Sequence, residues 1–133
     1  MRAYILGGLV VVGVLLGAGS MAAHHSFAAE FDANKPVTLK GIVTKVEWTN
    51  PHVWFYVNVK DEKTGEVTNW GAEMGPPHLL QGTGWTRTTM KIGDTINVQG
   101  SLAKNGSKRL NARTVTTPDG KRMGAASSEG VTP

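Results

Sequence analysis

Hydrophobic and polar residues alternate most cleanly in HVWFYVNVK, His52 to Lys60. Val53, Phe55, Val57 and Val59 fall on one side and His52, Trp54, Tyr56 and Asn58 on the other, the period of a half-buried strand. Upstream, Val37 to Trp48 is rich in β-branched residues and roughly alternating, with Gly41 inside it, where a strand bulges or bends. Asn50-Pro51 marks a turn. Asp61 to Gly65 is a polar, glycine-containing loop, and Val67 to Met74 reads as a third strand. Pro77 can start a short helix with Leu79 and Leu80 as apolar contacts, and Gly82 and Gly84 keep it brief. Lys91 to Asp94 is a turn into a fourth strand, Thr95 to Leu102. Asn105-Gly106 turns again into a fifth, Leu110 to Thr117.

Three strands, a short helix and two strands make an all-β fold, and this layout predicts a five-stranded OB-like barrel with its helix between strands 3 and 4. The glycine in the long first strand lets it bend and serve both halves of the barrel. A plain β-sandwich is the competing architecture, and it gives no reason for the helical insertion. In the strand 2–3 hairpin, one register sets Val53, Phe55 and Val57 opposite Met74, Ala72 and Trp70, with every large apolar residue on one face. A slip by one residue would put Trp70 beside Tyr56 in water, so the first register is expected. The outer face then carries Trp54, Tyr56 and Asn58, with Asn69 and Glu73 across from them and Trp54 beside Glu73.

Both chain ends depart from this pattern. Arg2 is the only charge before residue 30, and every residue from Ile5 to Ala18 is apolar or glycine. That run is short for a membrane span but fits the apolar stretch of a secretory signal; a retained anchor is the competing explanation. Cleavage after Ala22 or Ala23 would give a signal peptide at 1–22, an arm at 23–36, the barrel at 37–123 and a flexible tail at 124–133. The expected location is the periplasm, with no stable membrane anchor after cleavage.

Composition narrows the chemistry. The chain has no cysteine, which removes disulfide scaffolds, zinc fingers, iron–sulfur sites and thiol catalysis. A net charge of +4 and a pI near 9.6 are weak evidence for a polyanion partner, and export argues against nucleic acid. There is no Gly-x-Ser-x-Gly, phosphate loop or His-Glu-x-x-His. Glu73 with His52 is the one acid–base pair to consider, and a non-enzymatic protein is expected.

Four histidines stand in suggestive places: His24 and His25 at the new amino terminus, His52 at the start of strand 2 and His78 just after strand 3. Strand pairing would put His52 and His78 at one barrel end. Imidazole suits copper, zinc and nickel, and a nitrogen-rich planar set favours Cu(II) or Ni(II). A terminal Ala23-His24-His25 can enclose such an ion through its amine, two backbone amides and the third-position ring. With His24 first, its amine and ring can chelate copper and borrow a ring from His52 or His78. The plainer explanation is a solvated start, a turn residue and a surface residue. Along the strand 2–3 face, Trp54 and Tyr56 with Asn58, Asn69 and Glu73 can stack on sugar rings, bases or a peptide. Alternatively the arm covers both aromatics through Phe27 and Phe31.

The blocks AHHSFAAEFD (Ala23–Asp32), VTLKGIVTKVEWTNPHVWFYV (Val37–Val57), TNWGAEMG (Thr68–Gly75), GWTR (Gly84–Arg87) and NAR (Asn111–Arg113) resemble an uncharacterised family of small exported bacterial proteins, known as a domain of unknown function. The likeness covers nearly all of the mature chain and implies a periplasmic protein without assigning an activity. Met21 departs from the cleaner small-residue site such proteins carry before the paired histidines. The expected function is an exported OB-fold binding protein for an envelope ligand or protein. The alternatives are a copper- or nickel-binding protein, or oligosaccharide, peptide or nucleic-acid binding on the strand 2–3 face.

Overall fold

The computed structural model describes residues 26–130, so the apolar leader, His24 and His25 lie outside the described residues. A single turn of helix, α1 (Phe27–Glu30), runs directly into β1 (Phe31–Glu47). Then come β2 (Trp54–Lys60), β3 (Val67–Glu73), α2 (Pro77–Gly82), β4 (Thr95–Ala103), β5 (Arg109–Thr116) and a short β6 (Arg122–Gly124). The sheet order is β3-β2-β1-β4-β5-β6, and β3 also pairs with β5 in parallel, Ala72 opposite Leu110. That last pairing closes five strands into a ring, so the barrel is OB-like and the sandwich is excluded.

The bend in β1 makes closure possible. Its first part pairs with β4 as far as Ile42, and from Ile42 onward it pairs with β2. Gly41 sits at the changeover, where a Cβ would lie 2.6 Å from the Asn58 carbonyl oxygen and 3.1 Å from Val57. Only glycine lets β1 pass this close to β2. The bulge itself falls three residues later, between Val43 and Lys45.

The β2–β3 register is the expected one: Phe55 faces Ala72, Val57 faces Trp70, and Trp54 faces Glu73. Val53, Phe55 and Val57 point inward with Val43, Ile96, Val98, Leu110 and Val115. Full burial of each such side chain favours folding by roughly 1.5–3 kcal/mol. Leu80 of α2 and the neighbouring Trp85 join this core, while Leu79 is half exposed and makes no core contact of the kind its sequence pattern suggested. Six residues are too few for an independent helix; burial of Leu80 holds α2 against the barrel. Trp48 and Trp70 pack at the core margin.

Two segments differ from expectation. Phe31 to Pro36, assigned to an arm, belong to β1, with Pro36 opposite Ser101 and Phe31 opposite Ala103. The chain from Gly124, expected to be a flexible tail, is packed through Gly130. Met123 and Ala125 are buried, and β6 pairs with β5. The Ala125 carbonyl accepts from Gly75 N–H (2.8 Å) and its own N–H donates to Arg113. Glu129 forms an ion pair with Arg113. Small residues there allow close approach to the barrel, so a composition that resembles a solvated end serves here as a strap.

Candidate functional site

β2 begins where β3 ends, which brings His52 and Glu73 together at one rim of the barrel. His52 Nδ1 lies 2.9 Å from the Met74 carbonyl oxygen and 3.5 Å from Glu73 Oε1. A carbonyl oxygen only accepts, so Nδ1 carries a proton and donates it to Met74. Asn111 at the start of β5 donates to Glu73 Oε1 over 3.2 Å. Ser127 of the strap donates in turn to Asn111 Oδ1 over 2.6 Å. A polar chain thus runs from the strap through β5 and β3 to the His52 ring.

Glu73 is 9% exposed. Burial pushes its carboxyl pKa above the ordinary glutamate value, because a charge in a low-dielectric site loses hydration. His52 opposes that shift, the negative Glu30 adds to it, and the Asn111 hydrogen bond and Arg109 also oppose it without cancelling it. Between 4.5, the ordinary value, and the raised one, the folded chain holds a proton that the unfolded chain has released, so stability falls as pH rises. Glu73→Gln removes this dependence and keeps the oxygen that Asn111 uses. Urea unfolding at pH 4 and pH 8 should show wild type losing ground to the variant on going to pH 8, by about 1.4 kcal/mol for each pKa unit of elevation. Parallel behaviour of the two proteins would contradict the assigned environment.

Beside this pair is a cleft of about 230 Å³, bordered by Glu30, Thr49, His52, Trp54, Glu73 and Arg109. Its floor turns at the cis Asn50–Pro51 bond. The Arg109 guanidinium stacks 4.5 Å from the Trp54 ring centre, a favourable cation–π arrangement. Trp54 also packs against a small apolar cluster of Phe27, Phe31 and Ala103, with the two phenylalanine rings 5.8 Å apart. Trp54 is therefore partly covered by α1 and β1, as the arm-packing alternative expected, and it also borders the cleft. Glu30 reaches the same cleft from α1.

The rest of the proposed strip separates from this site. Tyr56 carries Lys45 at 5.5 Å above its ring, and the arm cluster does not include it. Asn69 donates to Asn58 Oδ1 (2.9 Å) and Thr44 Oγ1 (3.1 Å), a ladder that knits β1, β2 and β3 together. His78 is exposed on α2 and lines no part of the His52 cleft, so the pairing of His52 with His78 is replaced by His52 with Glu73. Among the described residues, no three histidine or carboxylate side chains gather as a metal site. Nor is any described helix long and apolar enough to cross a membrane. Glu30 and Arg109 carried no sequence signal for a site. Asn111 stood only in the NAR block.

A family model described as "Family of unknown function (DUF6152)" matches residues 12–112. The chain belongs to the DUF6152 family. That match spans α1, every barrel strand up to Ala112 in β5, and the His52, Glu73 and Arg109 cleft. No curated protein matches this DUF6152 chain. Among solved structures, the mitochondrial single-stranded DNA-binding protein Rim1 of S. cerevisiae is similar in shape, with a TM-score of 0.48 and 9% identity, covering 62% of this chain and 92% of that one. The OB-like order of the DUF6152 barrel rests on its own strand pairings.

Proposed function

We propose that this protein is an exported, non-enzymatic binding module of the bacterial cell envelope, and that it holds its ligand in the cleft between His52, Trp54, Glu73 and Arg109. The observation that carries this reading is the nearly buried Glu73. A carboxyl group kept at a barrel rim at a cost to stability, and positioned by Asn111 and His52, suits recognition better than folding. The periplasmic location rests on the apolar leader followed by small residues. The cleft is lined mainly by charged and polar groups, with Glu30, His52, Glu73 and Arg109 converging beside the Trp54 ring, which favours a small polar ligand over an apolar one.

The test begins with the full-length protein produced in a Gram-negative host and recovered from its periplasm. Intact mass should correspond to a chain starting at Ala23 or His24. The isotope-labelled mature protein is then titrated separately with copper(II) chloride, glucose, trialanine and a ten-residue deoxythymidine strand, and its amide and indole NMR signals are followed. Loss or movement of the Trp54 indole, Glu73 and Arg109 signals with one probe supports the cleft as the binding place. An unprocessed chain retained in the cytoplasm overturns the export reading, and no response at the cleft to any probe overturns the binding reading. Binding on the strand 2–3 face is a second reading, favoured by the Lys45–Tyr56 stack. It predicts responses that begin at Tyr56 and Asn69 instead.

A further inference from the structure

We infer that the cleft holds a small zwitterion, whose ammonium group lies against Glu73 and Glu30 and whose carboxylate or phosphate lies against Arg109. This deepens the binding reading above by naming the ligand class, and it rests on that reading. Three observations converge. First, both signs of charge border the cleft, and they are held apart. Glu30, Glu73 and Arg109 all line it, yet among the described residues Arg109 forms no ion pair within 4.0 Å. Its guanidinium is kept in place by the stack 4.5 Å from the Trp54 ring centre. Glu73 is kept in place by Asn111 and His52. Each charge has its own support, so the site is organised before a ligand comes between them.

Second, Glu73 has an oxygen to spare. Its contacts with Asn111 (3.2 Å) and His52 (3.5 Å) both fall on Oε1, and no described side chain donates to Oε2. The residue is only 9% exposed. A charge so poorly hydrated interacts strongly with a partner that reaches it, and an ammonium supplies both the opposite charge and N–H donors. The negative Glu30 acts unfavourably on a charged Glu73, and an ammonium beside the two carboxylates offsets that repulsion.

Third, the anion end has a suitable donor. A guanidinium presents paired N–H groups that match the oxygens of a carboxylate or phosphate. Arg109 is exposed, and no described carboxylate competes for those groups. The volume sets the size of the ligand. About 230 Å³ is below the range of about 300–1,000 Å³ usual for drug-sized ligands. A free amino acid and a phosphoethanolamine head group share the required chemistry at that scale. A molecule with one charge only would leave the group at the other end of the cleft unpaired, which discriminates against it.

The experiment uses the protein as recovered from its expression host. It is titrated by calorimetry with L-alanine, O-phosphoethanolamine and the single-charge analogues propionate and ethylamine. Arg109→Gln and Glu73→Gln are compared with wild type, and circular dichroism melts confirm that both are folded. Wild type should bind at least one zwitterion saturably and each single-charge analogue at least about tenfold more weakly. Arg109→Gln should erase the preference for that zwitterion over ethylamine, and Glu73→Gln the preference over propionate. A tighter fit to L-alanine assigns the site to free amino acids and a tighter fit to O-phosphoethanolamine to a head group; either supports the inference. No saturable binding of either zwitterion overturns it. So does a wild type that binds propionate or ethylamine as tightly as the zwitterion, or a pair of variants that leave both preferences unchanged. A cleft NMR response to glucose or the deoxythymidine strand would then leave the binding reading standing, so the two can fail separately.

Discussion

Phe55→Ala is expected to destabilise the barrel by about 3–5 kcal/mol, the usual consequence of emptying a large aromatic site in a packed core. Phe55 is fully buried and stands near the start of β2, between Val46 of β1 and Ala72 of β3. Three strands lose a common packing partner when it is cut back. The surrounding residues are held by hydrogen-bonded ladders on both sides, so the site cannot close around the missing ring. Total stability for a domain of this size is about 5–15 kcal/mol, so the variant forfeits a large share of it. A melting temperature lower by about 12–40 °C follows, at about 4–8 °C per kcal/mol. Ile42→Ala is the internal control: Ile42 is 51% exposed, and its truncation should stay within about 0.5 kcal/mol. A Phe55→Ala loss below about 1 kcal/mol would mean that β2 does not face the interior as described.

Gly100→Ala is the second large effect, and it reaches the functional cleft. Gly100 lies in β4 opposite Ala112, next to a register shift in the β4–β5 ladder. A Cβ there would overlap the Asn111 carbonyl oxygen and lie 3.0 Å from Leu110 Cδ1. The obstacle is backbone, so it cannot rotate aside as a side chain can. Forcing β5 outward should cost about 1–3 kcal/mol as overpacking does. It should also displace Asn111, which donates to Glu73. Urea unfolding reads the first effect, and NMR shifts at Glu73 and His52 read the second. A variant as stable as wild type, with those signals in place, would show that β4 and β5 are farther apart than described.

The parts of the fold that were legible in the sequence are those where burial alternates with the pleat. Val53, Phe55 and Val57 leave only one register that hides them all, and that register appears. Strand order and the glycine in the first strand pointed to a closed five-stranded barrel, while the β3–β5 pairing that closes it is visible only in the structure. Asp32 to Pro36 could not be recognised as strand. These residues include no apolar side chain larger than Ala33 and Pro36 and lie largely exposed at the outer end of β1, so no apolar periodicity marks them. Their pairing with β4 is decided by Phe31, which anchors the segment from one end. β6 is three residues long, too short for any period, and the strap after it is held by hydrogen bonds to Gly75, Asn111 and Arg113.

The cleft was half legible. His52 and Trp54 stood out by type and position, and the hairpin register put Glu73 beside Trp54. Arg109 and Glu30 arrive from segments far away in sequence, where a single charged residue at a strand or helix end looks like any solvated charge. Only the closure of the ring brings them to Trp54. His78 shows the opposite case: strand pairing predicts it at the same barrel end as His52, and in the structure it is exposed on α2 and lines no part of the His52 cleft.

The pairing of β3 with β5 bears on the export proposed above. Ala72 meets Leu110 across a long stretch of intervening chain, and β1 must likewise wait for β4. Contacts this distant in sequence form slowly. A polypeptide threaded amino end first through a secretion channel would have nearly its whole length delivered before the ring could shut. It would stay unfolded and translocation-competent during transit, and any holding chaperone would need to shield β2, the most apolar strand, until β5 emerged.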